Sequence, residues 1–145
     1  MISVEEAKKI ILEHTNTLAA ITLPLEEAAG FVLAEDMFAT KDIPAYAQSS
    51  MDGYAFLFSD WKKNKSLKVE GEMAAGSSEV LSLPPGVATR IFTGAPLPVG
   101  ADTVVMQEKI KIENSLLYIE DKELIKKKNV RDKGSEIKAG ELALA

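Results

Sequence analysis

Apolar and polar residues alternate, or form short apolar runs, along much of the chain, as is typical of β-strands that bury one or both faces. The stretches with this pattern are 67–73, 87–92, 103–106, 110–112 and 116–119. The last two flank Glu113-Asn114-Ser115, which is a hairpin signature. The pattern therefore predicts a mainly β structure.

An aromatic stretch in the first half of the chain predicts a further strand. Tyr54, Phe56 and Phe58 would share one face of it, with Ala55 and Leu57 on the other. The basic segment that follows, residues 61–65, is expected to form a solvated hairpin tip. Five residues with one aromatic make a weak case for nucleic-acid binding.

Helical signals are confined to the N-terminal region. Ser3 and Glu6 form a capping box that starts a helix of about ten residues. Its apolar face consists of Val4, Ala7, Ile10 and Ile11. Pro24 is expected to open a second, short helix over residues 25–29, with Gly30 as its left-handed stop.

Two apolar stretches are harder to assign. Residues 31–39 are compatible with either a buried strand or a helical turn, because periodicity does not separate the two over so short a run. Residues 140–145 have the pattern of a strand. The chain has no stop signal or polar terminus there, so we expect that strand to be cut by a boundary of the sequence.

A candidate site acid lies just before the aromatic strand, in the stretch from Ser49 to Ala55. Asp-Gly pairs favour turns, because Asp bonds its own backbone and Gly adopts a positive φ. Asp52 would thus be displayed on a turn anchored to a rigid strand, with Gly53 at positive φ. The alternative is a solvated turn in which Asp52 only caps the backbone.

A second candidate element is the loop from Thr93 to Asp102. Two prolines and two glycines restrict it to few conformations. The Thr93 hydroxyl and the Gly94 amide would therefore be held in place at little entropic cost.

Composition narrows the function classes. The 145 residues carry 22 acids and 17 bases, a formal net charge of −5, which gives no overall electrostatic case for nucleic acid or an anionic membrane. There is no cysteine, hence neither a disulfide nor a thiolate metal site, in agreement with a cytoplasmic protein. No apolar run approaches the roughly 20 residues of a membrane-spanning helix.

The two arginines stand out among 17 bases. Arg90 and Arg131 each lie near a glycine-containing loop. A guanidinium group offers a planar fork to oxyanions, so both are candidates for anion contact. Ordinary surface pairing with an acid is the alternative.

Three ordered stretches together resemble the N-terminal half of the MoeA family, the molybdopterin molybdenumtransferases, whose relatives include gephyrin. These stretches are 49–55, 90–105 and 129–137. The resemblance covers nearly the whole chain. It implies an α+β fold that is mainly β with N-terminal helices and complex coiled or bifurcated β-sheets.

The resemblance also implies an organisation into domains. Residues 1–43 would be N-terminal helices and a linking segment of an elongated first domain, residues 44–137 a β-rich second domain, and residues 138–145 a truncated return to the first domain. Members of the family are longer and contain a pterin-holding α/β domain and a C-terminal β-barrel, so we expect this portion alone to be inactive.

The implied activity is insertion of molybdate into adenylylated molybdopterin, with release of AMP, in molybdenum cofactor biosynthesis. Magnesium is implied as the assisting metal, and molybdate and the pterin as substrates. The implied assembly is a homodimer in which the second domain of one subunit covers the pterin domain of the other. The alternative is a non-catalytic dimerisation or scaffold module of gephyrin type.

The family motifs map onto named positions of this chain. Asp52, Thr93 and Glu136 are the implied catalytic residues, with Asp52 also the implied metal ligand. Glu136 stands where the family usually has Asp, which leaves its positioning open. The implied substrate-binding residues are Ser50, Gly94, Arg90 and Arg131. We expect the three catalytic residues to cluster on one face of the β-rich domain.

Overall fold

The computed structural model describes residues 2–77 and 79–145. The chain forms two compact units, one reaching to Asp36 and including Ala145, the other running from Met37 to Leu144. The division into 1–43, 44–137 and 138–145 stays a prediction, and its residues 1 and 78 lie outside the described part.

The helix predicted at the N-terminus is confirmed as α1, Val4–His14, with the Ser3 hydroxyl accepting from the Glu6 amide at 3.1 Å. No residue of α1 is buried. The second predicted helix is shorter than expected, a single 3₁₀ turn at Leu25–Glu27. Pro24 at one end and Gly30, at φ +89°, on the other leave room for little more than that turn.

The described residues of the second unit form ten strands. They are β1 (Met37–Phe38), β2 (Gln48–Ser49), β3 (Gly53–Phe56), β4 (Ser66–Met73), β5 (Val87–Ile91), β6 (Thr103–Met106), β7 (Ile110–Glu113), β8 (Leu116–Ile119), β9 (Val130–Arg131) and β10 (Leu142–Leu144). The prediction of a mainly β fold with N-terminal helices is confirmed.

Three sheets organise these strands. β6-β3-β5-β4-β8-β7 form one sheet, in which only β4 and β5 run parallel. β2 pairs with β9, and β1 pairs with β10, so the strand predicted at residues 140–145 is confirmed for residues 142–144. Only Met37–Phe38 of the ambiguous stretch 31–39 becomes a strand.

The core lies on both faces of the six-stranded sheet. Phe56 and Val105 belong to one buried cluster, whereas their chain neighbours Ala55 and Val104 belong to another. Neighbouring residues of a strand point to opposite faces, so β3 and β6 are covered on both sides. This explains why β6 consists of a run of buried residues instead of an alternating pattern.

The sequence prediction for residues 58–65 is wrong. The strand ends at Phe56, and Phe58–Asn64 form the helix α2 instead of a strand end and a hairpin tip. The Phe58 amide donates to Asp102 Oδ1 at 2.8 Å, which caps the helix from a remote loop. Lys65 ends it in the left-handed conformation, and the Trp61 ring packs edge-on against Phe58, 5.4 Å between centroids.

The expected role of Gly53 is also wrong. Gly53 does not adopt a positive φ, because it is the first residue of β3 and extended there. Its missing side chain matters for another reason: a Cβ at this position would lie 1.8 Å from the carbonyl oxygen of Val105 on β6. The glycine is therefore required by the close approach of two strands.

We predict that Gly53→Ala lowers the free energy of unfolding by about 3 kcal/mol or more, since the neighbouring backbone has to shift. Gly140→Ala is the matched control. Gly140 adopts φ +85° with nothing within 4 Å of a built Cβ, so only the left-handed strain of about 1 kcal/mol applies. Urea denaturation of both variants tests this, and equal losses would contradict the close-approach argument.

Candidate functional site

Asp52 and Thr93 are in direct contact. The antiparallel register of β3 and β5 pairs Gly53 with Ile91, which brings the residue before β3 beside the loop after β5. Asp52 Oδ1 accepts from the Thr93 amide and from the Thr93 hydroxyl, each at 2.8 Å. Both residues are exposed. The two motifs that sequence analysis singled out separately thus form one polar pair.

This contact sets the charge of the acid. The hydrogen bond from the Thr93 amide, then that from its hydroxyl, and then the positive charge of Arg90 hold the pKa of Asp52 below its ordinary value. Asp52 is therefore ionised at neutral pH. An ionised carboxylate accepts hydrogen bonds or binds cations and has no proton to donate.

Arg90 lies beside this pair and contacts three segments. Its Nη1 donates to the Gly53 carbonyl at 3.3 Å, and its Nη2 donates to Gln107 Oε1 at 2.6 Å. The guanidinium group stacks near the rings of Tyr54 and Phe92, at 5.3 and 4.9 Å from their centroids. Arg90 is thus held in one place by two hydrogen bonds and two aromatic rings.

The expected substrate-binding positions Ser50 and Gly94 take part in backbone bonds within the chain. The Gly94 amide donates to the Ser49 carbonyl at 2.8 Å, and the Ser50 amide donates to the Asn129 carbonyl at 3.0 Å. The two loops are therefore fastened to each other and to the segment before β9. Their substrate contacts stay predictions.

Glu136 and Arg131 form a second polar pair. Arg131 Nη1 lies 3.0 Å from Glu136 Oε1, across a turn in which Gly134 adopts φ +67°. Within the described residues no hydrogen bond or ion pair joins this pair to Asp52 or Thr93. The structure joins the catalytic candidates Asp52 and Thr93 directly, and it joins Glu136 to the substrate-binding candidate Arg131. The clustering of all three catalytic candidates on one face stays a prediction.

A magnesium ion does not fit the residues of this site by themselves. Among residues 2–77 and 79–145 no group of three acidic or histidine side chains is placed to hold a metal ion. Asp52 offers a single carboxylate, and its Oδ1 already accepts two hydrogen bonds. A hard divalent cation requires more oxygen ligands than that.

The exposed Asp52 and Thr93 pair lies outside the surface depression that is best defined in the described residues. A surface depression of about 500 Å³ in the same unit is lined by Glu108, Lys109 and residues 120–123, and it includes neither Asp52 nor Thr93. No helix among the described residues is both long and apolar enough to cross a membrane.

Gln107 is a polar neighbour of Asp52 that sequence analysis missed. Its amide donates to the Asp52 carbonyl at 3.1 Å, and its side chain holds Arg90. The signal in the sequence was slight, namely a polar residue directly after an apolar run. Only the pairing of Gly53 with Met106 shows that this strand end lies beside Asp52.

A family model described as the MoeA N-terminal region, domains I and II, matches residues 2–145. The chain belongs to this family. The resemblance stated from the three motifs is thus confirmed, and the match extends over the α1 helix as well as the strands.

Relatives and solved structures agree with the MoeA assignment. The chain is 37% identical to a molybdopterin molybdenumtransferase of Staphylococcus epidermidis, covering 99% of the chain and 35% of the relative. It is 35% identical to the protein of that name in Haemophilus influenzae, covering 99% and 36%. A molybdopterin biosynthesis MoeA protein of Pyrococcus horikoshii superposes with a TM-score of 0.85 at 33% identity, covering 97% of this chain and 38% of that one.

We predict that the stability difference between the native chain and Asp52→Asn depends on pH. The folded pKa of Asp52 is depressed, so the stability that its ionised carboxylate contributes is present above the unfolded pKa and lost as pH falls through the folded pKa. Asp52→Asn should be the less stable at about pH 7, and the difference should disappear as pH falls below the folded pKa of Asp52.

Urea denaturation across that range is the measurement. Thr93→Val removes the hydroxyl donor and keeps the amide donor. In a chain that carries Thr93→Val, the pH-dependent loss of stability caused by Asp52→Asn should be smaller than in the native chain, but still present. A difference between native and Asp52→Asn chains that stays constant with pH would contradict the assignment.

Proposed function

We propose that these residues form the N-terminal part of a molybdopterin molybdenumtransferase, acting in molybdenum cofactor biosynthesis. The names of relatives 35–37% identical support this. The chain spans about a third of those relatives, 35% and 36% of their lengths, so the remaining parts of the enzyme have to come from beyond these residues. The reaction we propose is insertion of molybdate into adenylylated molybdopterin, with release of AMP.

The observation that carries the proposal is the contact between the exposed residues Asp52 and Thr93. An ionised carboxylate repels molybdate, so Asp52 is suited to orient Thr93 or to face a cation, and unsuited to bind the anion directly. The Thr93 hydroxyl keeps free lone pairs while it donates to Asp52. The pair therefore supplies a fixed polar group at the rim of a cleft that another part of the protein would complete.

Arg131 is the better placed anion contact of the two arginines. Its side chain is 47% exposed, and its partner Glu136 is equally accessible. Exposed ion pairs contribute little stability, so an incoming phosphate or molybdate oxygen can replace the Glu136 carboxylate at small cost. We assign Glu136 the role of holding the guanidinium fork ready for that exchange.

Magnesium enters this proposal only as a partner of Asp52. One carboxylate oxygen would serve as one ligand, and the other ligands would come from the substrate or from the rest of the enzyme. A cytoplasmic location agrees with the absence of cysteine from the chain.

A chimera tests the proposed function. Residues 2–145 replace the matching N-terminal part of the Haemophilus influenzae relative, in a bacterium without its own molybdenumtransferase. We expect activity of a molybdenum-dependent nitrate reductase to return. Asp52→Ala should lower molybdate insertion by the purified chimera about 100-fold, because positioning of reactants is lost.

Three controls accompany the chimera. Glu113→Ala removes an exposed acid that pairs with Lys111 on the β7–β8 hairpin and should leave activity unchanged. The unaltered relative shows that the host responds, so its success beside an inactive chimera would contradict the proposal. Activity from residues 1–145 alone would contradict our inference that the remaining domains are required.

Self-association is a second proposal for this chain, carried by the exposed apolar face of α1. Val4, Ile10 and Ile11 are 65%, 43% and 60% exposed in the described structure. A helix with an uncovered apolar face gains stability when a partner covers it. We propose a homodimer in which α1 contributes to the contact, either within the enzyme or in a scaffold of gephyrin type.

We predict that Ile11→Gln raises the dissociation constant of the dimer about tenfold or more, since each copy loses most of a buried apolar side chain. Lys8→Gln, on the polar face of the same helix, is the matched control and should have little effect. Sedimentation velocity over a concentration series measures both. A native chain that stays monomeric at all concentrations would overturn the proposal.

A further inference from the structure

Arg90 makes no direct contact with the Asp52 side chain, and yet it contacts the backbone next to it. Its Nη1 holds the carbonyl of Gly53, the residue that follows Asp52. Its Nη2 holds Gln107 at 2.6 Å, and the Gln107 amide in turn donates to the carbonyl of Asp52 at 3.1 Å. One side chain thus fixes the carbonyls of two consecutive residues, directly for Gly53 and through Gln107 for Asp52.

The rings of Tyr54 and Phe92 fix the guanidinium group itself. Tyr54 follows Gly53 on β3, and Phe92 precedes Thr93 on the other side of the pair. Arg90 therefore touches both chain segments whose ends carry Asp52 and Thr93. A guanidinium group is suited to join the two segments, because it is planar, stacks on aromatic rings and donates several hydrogen bonds in a fixed geometry. A lysine ammonium is not planar and lacks this fixed arrangement of donors.

We propose, on the basis of the proposed function, that Arg90 and Gln107 are positioning residues that hold the backbone of Asp52 so that its carboxylate faces Thr93. This role differs from the anion contact that the sequence suggested for Arg90. Two of its donor groups are used within the chain, and the guanidinium group lies within 5.3 Å of the ring centroids of both Tyr54 and Phe92. Arg131, whose side chain pairs with the exposed Glu136, is then the arginine that contacts the anion.

The Thr93 amide reports on this geometry, because it donates to Asp52 Oδ1. Nuclear magnetic resonance of the 145-residue chain gives its hydrogen-exchange rate and the pH midpoint at which its chemical shift follows the Asp52 carboxyl group. In Arg90→Lys we expect exchange about tenfold faster than in the native chain, and a higher midpoint, because a charge-assisted hydrogen bond is weakened. Arg90→Lys keeps the positive charge, so a purely electrostatic role of Arg90 predicts no change in either quantity. A native exchange rate and a native midpoint in Arg90→Lys would overturn the proposal.

Gln107→Met provides the second variant. Gln107 is exposed, so its replacement keeps the core and removes the acceptor for Arg90, together with an exposed hydrogen bond from Gln107 Nε2 to Glu108. We expect the same faster exchange at Thr93, with a urea midpoint close to native. Native exchange at Thr93 in Gln107→Met would overturn the proposal even if Arg90→Lys fails to fold.

Arg131→Lys is the matched control, since it is the same substitution at the only other arginine. Exchange at Thr93 should stay at the native rate there, and an equal acceleration would show a general loosening and overturn the proposal. These measurements involve no substrate. An inactive chimera together with the expected Thr93 response would therefore refute the proposed function and leave the positioning roles standing.

In the active chimera, Arg90→Lys should lower kcat more than it raises KM for the pterin substrate, because orientation is lost while binding surfaces remain. The reverse pattern, a raised KM with native kcat, would show that Arg90 binds substrate directly and would overturn the proposal.

Discussion

The close approach of β3 and β6 at Gly53 is the constraint on which the site depends. Any side chain at this position would collide with the Val105 carbonyl, so the two strands can pair here only across a glycine. That pairing places Gln107, just past the end of β6, beside the backbone of Asp52. On its other side β3 pairs with β5, which contains Arg90 and ends two residues before Thr93. One missing Cβ therefore allows three chain segments to meet at the candidate acid.

The same chemistry recurs elsewhere in the second unit, where aspartates tie loops to distant backbone amides. Asp42 accepts from the Ala139 amide at 2.9 Å, and Asp60 accepts from that of Gly86 at 2.7 Å. Asp102 caps α2 at Phe58. Carboxylates accept such bonds more strongly than neutral oxygens do, which suits a protein with many short strands and long connections.

Asp121 is the buried example of this use of aspartate. Asp121 is 7% exposed, and burial by itself raises the pKa of a carboxyl group. The Glu123 amide, together with Lys128 at 3.2 Å and Lys109 at 3.4 Å, outweighs that burial and lowers its pKa. Asp121 thus fastens the segment after β8 to both lysines. Asp52 differs in being exposed, and an exposed, oriented acid at a strand end is free to serve a second partner.

The described residues provide two polar pairs and no complete metal or substrate site. Asp52 and Thr93 form one hydrogen-bonded pair and Arg131 with Glu136 another, but the described part of the chain contains no group of three metal-ligating side chains. This agrees with a chain that matches about a third of its relatives' length. The function we propose requires that another part of the protein bring the pterin and most of the cleft to these residues.

The sequence by itself determined the elements whose signals are local. The Ser3 cap, the hairpin at Asn114 and Ser115, with φ of +51° and +62°, and the strands on both sides of it follow from neighbouring residues. The motifs around Asp52, Thr93 and Arg131 also identified the family, because ordered motifs are a property of the sequence alone. The sequence alone therefore identifies Asp52 and Thr93 as site candidates, although it does not show their contact.

Only the tertiary structure decided the segments in which the local sequence pattern predicts a different element. Phe58 continues the alternation of the aromatic strand, and residues 61–65 have the pattern of a hairpin tip, yet Phe58–Asn64 form a helix. Asp102, 44 residues away in the chain, caps that helix, and Trp61 packs on Phe58. Gly53 has the sequence of a turn, but it lies in a strand. A glycine is needed there because a side chain would collide with the carbonyl of Val105 on the neighbouring strand. Gln107 and the orientation of Arg90 depend on the register of three strands. Such contacts join residues far apart in the chain, so no pattern within a short window of sequence encodes them.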